Sequence, residues 1–254
     1  MPEKVLFSFV ENETVQIIFY ENKANLSQSF DIPRGITALV GGGGKTTLML
    51  WLAHELARAG ARVIVTTTTH IFAPDGMRTL NPVTQEEATA LLDREPLICF
   101  GMPSKEGKLS APILPTETLA MCADYVLIEA DGAKRLPLKA PAEHEPVIPR
   151  VTRLVIAVAG LDGIGRAIGD TAFRADRYAA LCGKAQMERI SARDVALVLA
   201  HSNGQRKHVP DDARFAVLLN KVDDDVSRSA ALAIATELKQ YDVERVVIAA
   251  LGKQ

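Results

Sequence analysis

Short apolar runs alternate with amphipathic segments along most of the chain. In the amphipathic segments the apolar positions follow the period of one helix face, whereas the apolar runs have the length of buried strands. Strands are predicted at 36–40, 61–65, 96–100, 124–128, 153–159, 215–219 and 244–251. Helices are predicted at 45–59, near 84–94, and at 171–182, 191–200 and 226–240. This alternation predicts an α/β fold in which a mostly parallel sheet is flanked by helices.

Local capping patterns place two of the helix starts. Thr84 is followed within one turn by Glu87, and Ser191 by Asp194. A hydroxyl residue with an acidic residue at this spacing satisfies the free amides of a first helical turn. Residues 101–115 are rich in Gly, Pro and Ser and are predicted to form a loop.

The beginning of the chain has a different pattern. Two β-rich runs, 4–10 and 14–20, are joined by a polar Glu-Asn-Glu segment, which indicates a β-hairpin. We therefore predict a small N-terminal antiparallel β appendage in residues 1–34, followed by the α/β domain in residues 35–254.

Composition narrows the classes of function. The chain has 254 residues, of which 48 % are hydrophobic and 24 % charged, as in an ordinary globular protein. Its formal net charge of −2 argues against broad electrostatic binding to nucleic acid or to an anionic membrane. No signal peptide or apolar run of membrane-spanning length is apparent, so a cytoplasmic location is expected. The three cysteines are scattered, which argues against a disulfide framework or a zinc ribbon.

Four polar or glycine-rich segments each follow a predicted strand. They are the glycine run after 36–40, the threonine run after 61–65, the acidic segment after 124–128 and the Asn-Lys-Val-Asp segment after 215–219. The carboxyl ends of parallel strands share one edge of a sheet, and ligands bind there. We therefore expect the four segments to converge on one site.

The glycine run has the composition of a phosphate-binding loop. Consecutive glycines can turn their amides toward an anion, and the helix that follows adds the positive end of its dipole. Lys45 is expected to be exposed and to reach the β- and γ-phosphates, and Thr46 to bind Mg²⁺. Leu39 stands where the strict pattern has glycine, so the loop is a deviant form. The predicted nucleotide-binding residues of the loop are Gly41, Gly42, Gly43, Gly44, Lys45, Thr46 and Thr47.

Carboxylates follow the strand predicted at 124–128. Asp131 is the predicted magnesium ligand together with Thr46, and Glu129 is a candidate for orienting water or acting as a base. With Lys45, these two carboxylates form the predicted catalytic set. Asp162 starts an Asp-x-x-Gly pattern that competes for the metal role, although a turn is the favoured interpretation.

The segment from Asn220 to Asp223 matches the Asn-Lys-x-Asp motif of guanine-nucleotide proteins. In that interpretation the Asp223 carboxylate accepts hydrogen bonds from guanine, and Asn220 and Lys221 support the base. The alternative is a turn in which Asp223 caps the next helix. GTP is therefore favoured over ATP.

Two further segments are candidates for contact with a substrate or partner. Thr68, Thr69 and His70 follow a strand beside the phosphate loop, where their side chains could meet a ligand. The proline-interrupted segment after Asp131 supplies Lys134, His144 and Glu145, and such a long loop beside a site is typical of binding surfaces.

The ordered blocks VGGGGKTT, VTTTTHIFAP, DYVLIEADGAKRLPLKAPAEHEPVIP, VAGLDGIGRAI and LLNKVD together resemble the YqeC-like family. The resemblance covers most of the chain after residue 35. It implies a role in the maturation of selenium-dependent molybdenum hydroxylases and does not supply a reaction. The partners it implies are such a hydroxylase or the proteins that mature its cofactor.

The sequence thus leads to a first hypothesis and two alternatives. The first is a Mg²⁺-dependent nucleoside triphosphatase, with GTP favoured, that couples nucleotide state to cofactor delivery. The second is a kinase or ligase that transfers the γ-phosphoryl group to a small acceptor. The third is a nucleotide-gated binding module without significant turnover.

Overall fold

The computed structural model describes residues 16–20, 26–241, 243 and 245–252. The strands are β1 Gln16–Tyr20, β2 Gly35–Gly41, β3 Val63–Thr67, β4 His70–Phe72, β5 Thr79–Leu80, β6 Leu97–Phe100, β7 Met102–Pro103, β8 Lys108–Ser110, β9 Tyr125–Glu129, β10 Leu138–Lys139, β11 Thr152–Gly160, β12 Ala172–Phe173, β13 Arg214–Asn220 and β14 Arg245–Ala249. The α-helices are α1 Leu26–Phe30, α2 Lys45–Arg58, α3 Gln85–Arg94, α4 Thr116–Cys122, α5 Ile168–Thr171, α6 Ala175–Cys182, α7 Ala192–Ala200 and α8 Asp225–Leu238. Short 3-10 turns occupy Lys105–Gly107 and Leu161–Gly163.

Nine strands form one sheet in the order β1-β14-β13-β11-β2-β9-β3-β6-β5, and every neighbouring pair is parallel. The predicted α/β class with a mostly parallel sheet is confirmed. After β2, the strands β3, β5 and β6 lie on one side of β2, and β9 lies between β2 and β3. The strands β11, β13 and β14, which come later in the chain, lie on the other side of β2. The order of the strands therefore reverses beside β2, and in such sheets ligands bind at the carboxyl edge near this point.

Helices cover both faces of the sheet because alternate strand residues point in opposite directions. In β11, Val155 and Ala157 join the core under α6, α7 and α8, whereas Leu154 and Ile156 join the core under α1 and α2. A third apolar cluster lies under α3 and α4. Burial on both faces explains why the central strands are apolar throughout rather than alternating.

The N-terminal region differs from the predicted appendage. β1 pairs in parallel with β14 at the edge of the main sheet, with Gln16 opposite Arg245 and Tyr20 opposite Ala249. Residues 16–20 are therefore an edge strand of the main sheet, and their predicted antiparallel pairing with the first run stays a prediction. The other predicted run, 4–10, lies outside the described residues. α1 is attached to α2 of the main domain, because the carboxylate of Glu55 in α2 accepts hydrogen bonds from the amides of Leu26 and Ser27.

Two predicted segments contain strands that the sequence pattern did not indicate. The predicted loop 101–115 includes β7 and β8, which form a small antiparallel sheet with β4 in the order β4-β8-β7. The predicted helix 171–182 is divided, because β12 separates α5 from α6 and pairs with β10. In both cases a very short strand pairs with a segment distant in sequence, which local periodicity does not reveal.

Both predicted helix caps are present. The Thr84 hydroxyl accepts from the amide of Glu87, and Ser191 and Asp194 form a reciprocal capping box. No helix in the described part of the chain has the length and apolarity needed to cross a membrane.

Candidate functional site

The glycine run links β2 to α2 by a path that only glycine can follow. Gly41, Gly43 and Gly44 have φ values of 94°, 75° and 132°, which disfavour any residue with a Cβ atom. A Cβ on Gly41 would lie 2.3 Å from the carbonyl oxygen of Val158, and one on Gly43 would lie 2.2 Å from the amide nitrogen of Gly160. The run is therefore packed against the end of β11.

The amides of this run fall into two groups. Those of Gly41, Gly42 and Gly43 donate within the protein, to the Asp131 carboxylate and to the carbonyls of Val158 and Leu136. The first turn of α2 is different, because Gly44 at its N-cap has no side chain and no cap hydrogen bond forms. Among the described residues, no acceptor receives a hydrogen bond from the amides of Lys45, Thr46 or Thr47, the first three of α2. A side-chain cap begins α3, α7 and α8, whereas α4, α5 and α6 lack one, as α2 does; α2 differs from these in following the glycine run at the carboxyl edge of the sheet.

Lys45 points into the protein rather than into solvent. The residue is 4 % exposed, which corrects the expectation that it is exposed at the loop–helix junction. Its Nζ donates to the carbonyl of Gly41 at 2.6 Å and lies 3.1 Å from Asp131 Oδ1 and 3.6 Å from Glu129 Oε1. The lysine is buried because two carboxylates at the end of β9 meet it there.

The predicted metal ligands are arranged differently from the expected pair. The Thr46 hydroxyl donates to Glu129 Oε2 at 2.7 Å. Asp131 is fully buried and lies between two ammonium groups, those of Lys45 and of Lys139, whose Nζ is 2.8 Å from Asp131 Oδ2. The carboxylate beside the Thr46 hydroxyl is therefore Glu129.

Lys139 and Arg174 extend the cluster and were not predicted. Lys139 Nζ donates to the carbonyl of Gly132 at 2.6 Å and lies 2.6 Å from Glu145 Oε2, and Arg174 lies 2.7 Å from the same Glu145 oxygen. The side chain of Lys139 is fully buried. Its position inside a proline-rich loop gave no indication of burial. A buried Lys is nearly always paired, so the neighbouring acidic residues of that loop were the available signal.

Burial and ion pairing oppose one another at the basic groups. Burial disfavours the Lys45 ammonium, but the carboxylates of Asp131 and Glu129 outweigh it and raise the pKa of Lys45 above its ordinary value. For Lys139, burial is the largest influence and lowers the pKa, although Asp131 and Glu145 oppose this effect. Burial also disfavours the Glu145 carboxylate, but Lys139 and Arg174 hold its pKa below the ordinary value.

The Asn220–Asp223 segment lies beside the glycine run, as expected from its strand. Asn220 Nδ2 donates to the carbonyl of Gly43 at 2.9 Å, and its Oδ1 accepts from the amide of Leu251. Lys221 has a positive φ of 61°, and its Nζ donates to Asp162 Oδ2 at 2.7 Å. Asp223 is exposed.

The cap of α8 is Asp224, whose carboxylate accepts from the amide of Ser227. The alternative in which Asp223 caps this helix is therefore wrong.

The threonine run is tied to the same edge of the sheet. The Thr67 hydroxyl donates to the carbonyl of Glu129 at 2.8 Å, and the Thr68 hydroxyl donates to the carbonyl of Val147 at 2.7 Å. The Thr69 amide donates to the Thr67 hydroxyl, and His70 is exposed at the start of β4.

The three residues after Asp131 that were predicted to contact a substrate or partner lie in different environments. Glu145 belongs to the buried cluster, and His144 is exposed beside it. Lys134 is exposed, with its Nζ 5.3 Å from the centre of the Phe173 ring.

The oxygen donors suit a magnesium ion that is also bound by phosphate. Mg²⁺ usually takes one or two protein oxygens and fills its remaining positions with water and phosphate oxygens. Glu129 and Thr46 present a carboxylate and a hydroxyl side by side. Within the described residues no group of three or more His, Cys, Asp or Glu could hold a metal ion. The carboxylate and the hydroxyl are thus oxygen donors of the kind that Mg²⁺ accepts.

Comparison with known proteins places these features in a family context. The family model described as YqeC protein matches residues 37–176, which include the glycine run, the carboxylates of β9 and the loop that carries Lys139. The chain is also 33 % identical over 222 residues to a protein of Escherichia coli (strain K12) named "Uncharacterized protein YqeC". That alignment covers 83 % of this chain and 85 % of the relative.

Proposed function

The chain belongs to the YqeC family, and we propose that it binds and hydrolyses a nucleoside triphosphate with Mg²⁺, GTP being favoured, as an accessory protein in maturing selenium-dependent molybdenum hydroxylases. The nucleotide and metal parts of the proposal are argued from the geometry. The hydroxylase part rests on the family resemblance of the sequence.

One observation carries the proposal: α2 begins without a cap at the carboxyl edge of the sheet, next to a buried lysine. Three unpaired amides and the positive end of a helix dipole form a site for an anion. Lys45 and Thr46 stand in the first turn of the same helix. A phosphate group placed there would satisfy the amides that no described residue satisfies.

Each residue of the cluster would have a distinct role. Lys45 would exchange its contacts with Asp131 and Glu129 for phosphate oxygens, and Lys139 would keep Asp131 paired while it does so. Glu129 and Thr46 would hold the magnesium ion, whose chemistry here is to neutralise charge on the phosphates. The metal role predicted for Asp131 stays a competing hypothesis.

The base would lie beside β13. Asn220 joins the glycine run to the segment after β14 through its two side-chain hydrogen bonds, so it supports the site rather than the base directly. Asp223 is exposed and does not cap α8, which leaves its carboxylate available to a guanine.

The proposal is tested by titrating Mg-GTP and Mg-ATP into the wild type and into Lys45→Met, which removes the charge but keeps most of the buried volume. We expect at least about a hundredfold weaker binding for Lys45→Met, because a charge-assisted contact with phosphate is lost. Lys239→Met, a lysine at the end of α8, should bind as the wild type does. Unchanged affinity in a folded Lys45→Met protein, or no binding by the wild type, would contradict the proposal.

Phosphate release distinguishes hydrolysis from the alternatives. Steady release from GTP supports the hydrolase, and tight binding without release supports a nucleotide-gated module. Transfer to an added acceptor would support a kinase or ligase. The space next to Asp131 would admit such an acceptor, because a Cβ atom built on Gly132 meets no atom within 4 Å.

A further inference from the structure

Residues 132–135 form a short excursion directly over the glycine run. At its start, Asp131 accepts from the amide of Gly41 at 3.1 Å, and at its end the carbonyl of Leu136 accepts from the amide of Gly43 at 3.0 Å. Both ends are therefore fixed to the same loop. Lys134 and Arg135 occupy the tip and are exposed.

The backbone of this tip is strained. Lys134 and Arg135 have φ values of 48° and 62°, a left-handed conformation that is unfavourable for a residue with a Cβ atom. They are the central residues of a turn in which the Leu136 amide donates to the carbonyl of Ala133 at 2.9 Å. Strain of this kind persists where surrounding contacts fix it, and it concentrates at ligand sites. Here each cation rests on a different aromatic ring. Lys134 Nζ lies 5.3 Å from the centre of Phe173, and Arg135 Cζ lies 5.3 Å from the centre of Phe72.

These two charges are not balanced by the acidic residues of the cluster. The carboxylates of Glu129, Asp131 and Glu145 are paired with the buried or half-buried cations Lys45, Lys139 and Arg174. Within the described residues, neither Lys134 nor Arg135 forms an ion pair with a carboxylate. Lys134 and Arg135 therefore carry two positive charges that no described carboxylate neutralises.

Open space adjoins these charges. A side-chain atom on Gly132 would meet nothing within 4 Å. The segment Thr68–His70 lies on the neighbouring side, since β3 pairs with β9, and His70 is exposed there. A small molecule in this space would lie beside the segment 132–135, which carries the two cations.

We propose that Lys134 and Arg135 bind a second, anionic ligand that carries a phosphate or carboxylate group, in the open space beside Gly132. This inference deepens the proposed function and rests on it, because the ligand would be the acceptor or cargo served by the nucleotide. The turn presents two adjacent cations, each seated on its own aromatic ring.

The test uses the full chain saturated with Mg²⁺ and a non-hydrolysable GTP analogue, so that the phosphate loop is occupied. Inorganic phosphate and, separately, acetate are titrated while the backbone amide signals are followed by NMR. We expect saturable shifts at 132–135. In Lys134→Gln/Arg135→Gln the apparent affinity should fall at least about tenfold, since two charge-assisted contacts are lost. A response to phosphate alone identifies a phosphate-bearing ligand, and a response to acetate alone a carboxylate-bearing one.

The matched control is Arg193→Gln/Lys239→Gln, which removes the same two charges from helices and should behave as the wild type does. No saturable shift at 132–135 with either anion, or shifts that persist in the first double variant, would overturn the inference. The inference would also be overturned if Lys134→Gln/Arg135→Gln bound the nucleotide more weakly while the wild type showed no second anion site. If the wild type binds no nucleotide, the proposed function fails, and the same amides in the nucleotide-free protein still report whether the anion site exists.

Discussion

Asp131 is paired with both buried lysines of the cluster, Lys45 and Lys139. Its contribution to stability can be measured separately from the contribution of Glu129 to turnover. Asp131→Asn leaves two buried ammonium groups sharing fewer negative charges, so we expect a loss of about 3 kcal/mol in the free energy of unfolding. Glu129→Gln can still accept the Thr46 hydroxyl and should lose turnover with much less loss of stability. Urea unfolding and phosphate release, measured on both variants, test this. An Asp131→Asn protein of wild-type stability without turnover would favour Asp131 as the metal ligand instead.

Asp223 decides the choice of base if the proposed function is correct. Its carboxylate would accept from N1–H and the 2-amino group of guanine, whereas adenine offers no matching donors. We expect the wild type to prefer GTP over ATP by roughly ten- to a thousandfold. Asp223→Asn should lose that preference and gain XTP, whose extra carbonyl meets the new amide. Competition titrations of GTP, ATP and XTP check this, and equal affinity of the wild type for GTP and ATP would remove the guanine interpretation.

At the scale of elements, the capping box of α7 gives a pH-dependent prediction. Burial disfavours the Asp194 carboxylate, but hydrogen bonds from Lys184 and Ser191 outweigh it and hold its pKa below the ordinary value. A carboxyl whose pKa is lower in the folded state stabilises the fold above its unfolded pKa of about 3.9, and that contribution is lost as the pH falls through the folded value. We expect Asp194→Asn to cost about 1–2 kcal/mol at neutral pH.

The difference between wild type and Asp194→Asn should shrink as the pH falls below about 4, because the wild-type carboxyl then also becomes neutral. Thermal unfolding of both proteins across this range measures it. A difference that stays constant with pH would show that the charge of Asp194 contributes nothing. Arg193→Gln, one position earlier on the exposed side of the helix, is a suitable control.

The same helix shows why some elements could be predicted and others could not. Ser191 and Asp194 lie within one turn, so their interaction could be predicted from their spacing in the sequence. The partner of β1 is β14, at the other end of the chain, and no local pattern identifies it. The strands of the small antiparallel sheet are only two or three residues long, too short for periodicity to show.

Some features of the candidate site could likewise be predicted from the sequence, and others could not. The glycine run and the acidic residues at the end of β9 could be predicted to meet, because each lies at the carboxyl end of a parallel strand and such ends share one edge of the sheet. Lys139 could not be placed, since it lies in the two-residue strand β10, whose partner β12 is distant in sequence. The burial of Lys45 was also missed, because it depends on carboxylates that approach from another strand.

At the scale of the whole molecule, β1 should unfold together with the rest of the sheet. Phe19 packs against the core under α8, and its ring centre lies 4.2 Å from the guanidinium of Arg228. Because the ring is half-buried, we expect Phe19→Ala to cost about 1–3 kcal/mol, less than a fully buried phenylalanine. The urea midpoint should fall in one transition with an unchanged slope. An unchanged midpoint would indicate that this strand is an independent appendage.

The position of Trp51 gives the protein an intrinsic optical reporter. It is the single tryptophan of the sequence, it lies on α2, and its indole nitrogen donates to the carbonyl of Gly252 at 3.3 Å. Gly252 follows Leu251, whose amide is held by Asn220, so the indole touches a segment that is fixed to the glycine run. Any rearrangement of that run should change the surroundings of one fluorophore. Its emission can therefore follow ligand binding in real time, in unlabelled protein, without a second tryptophan to obscure the signal.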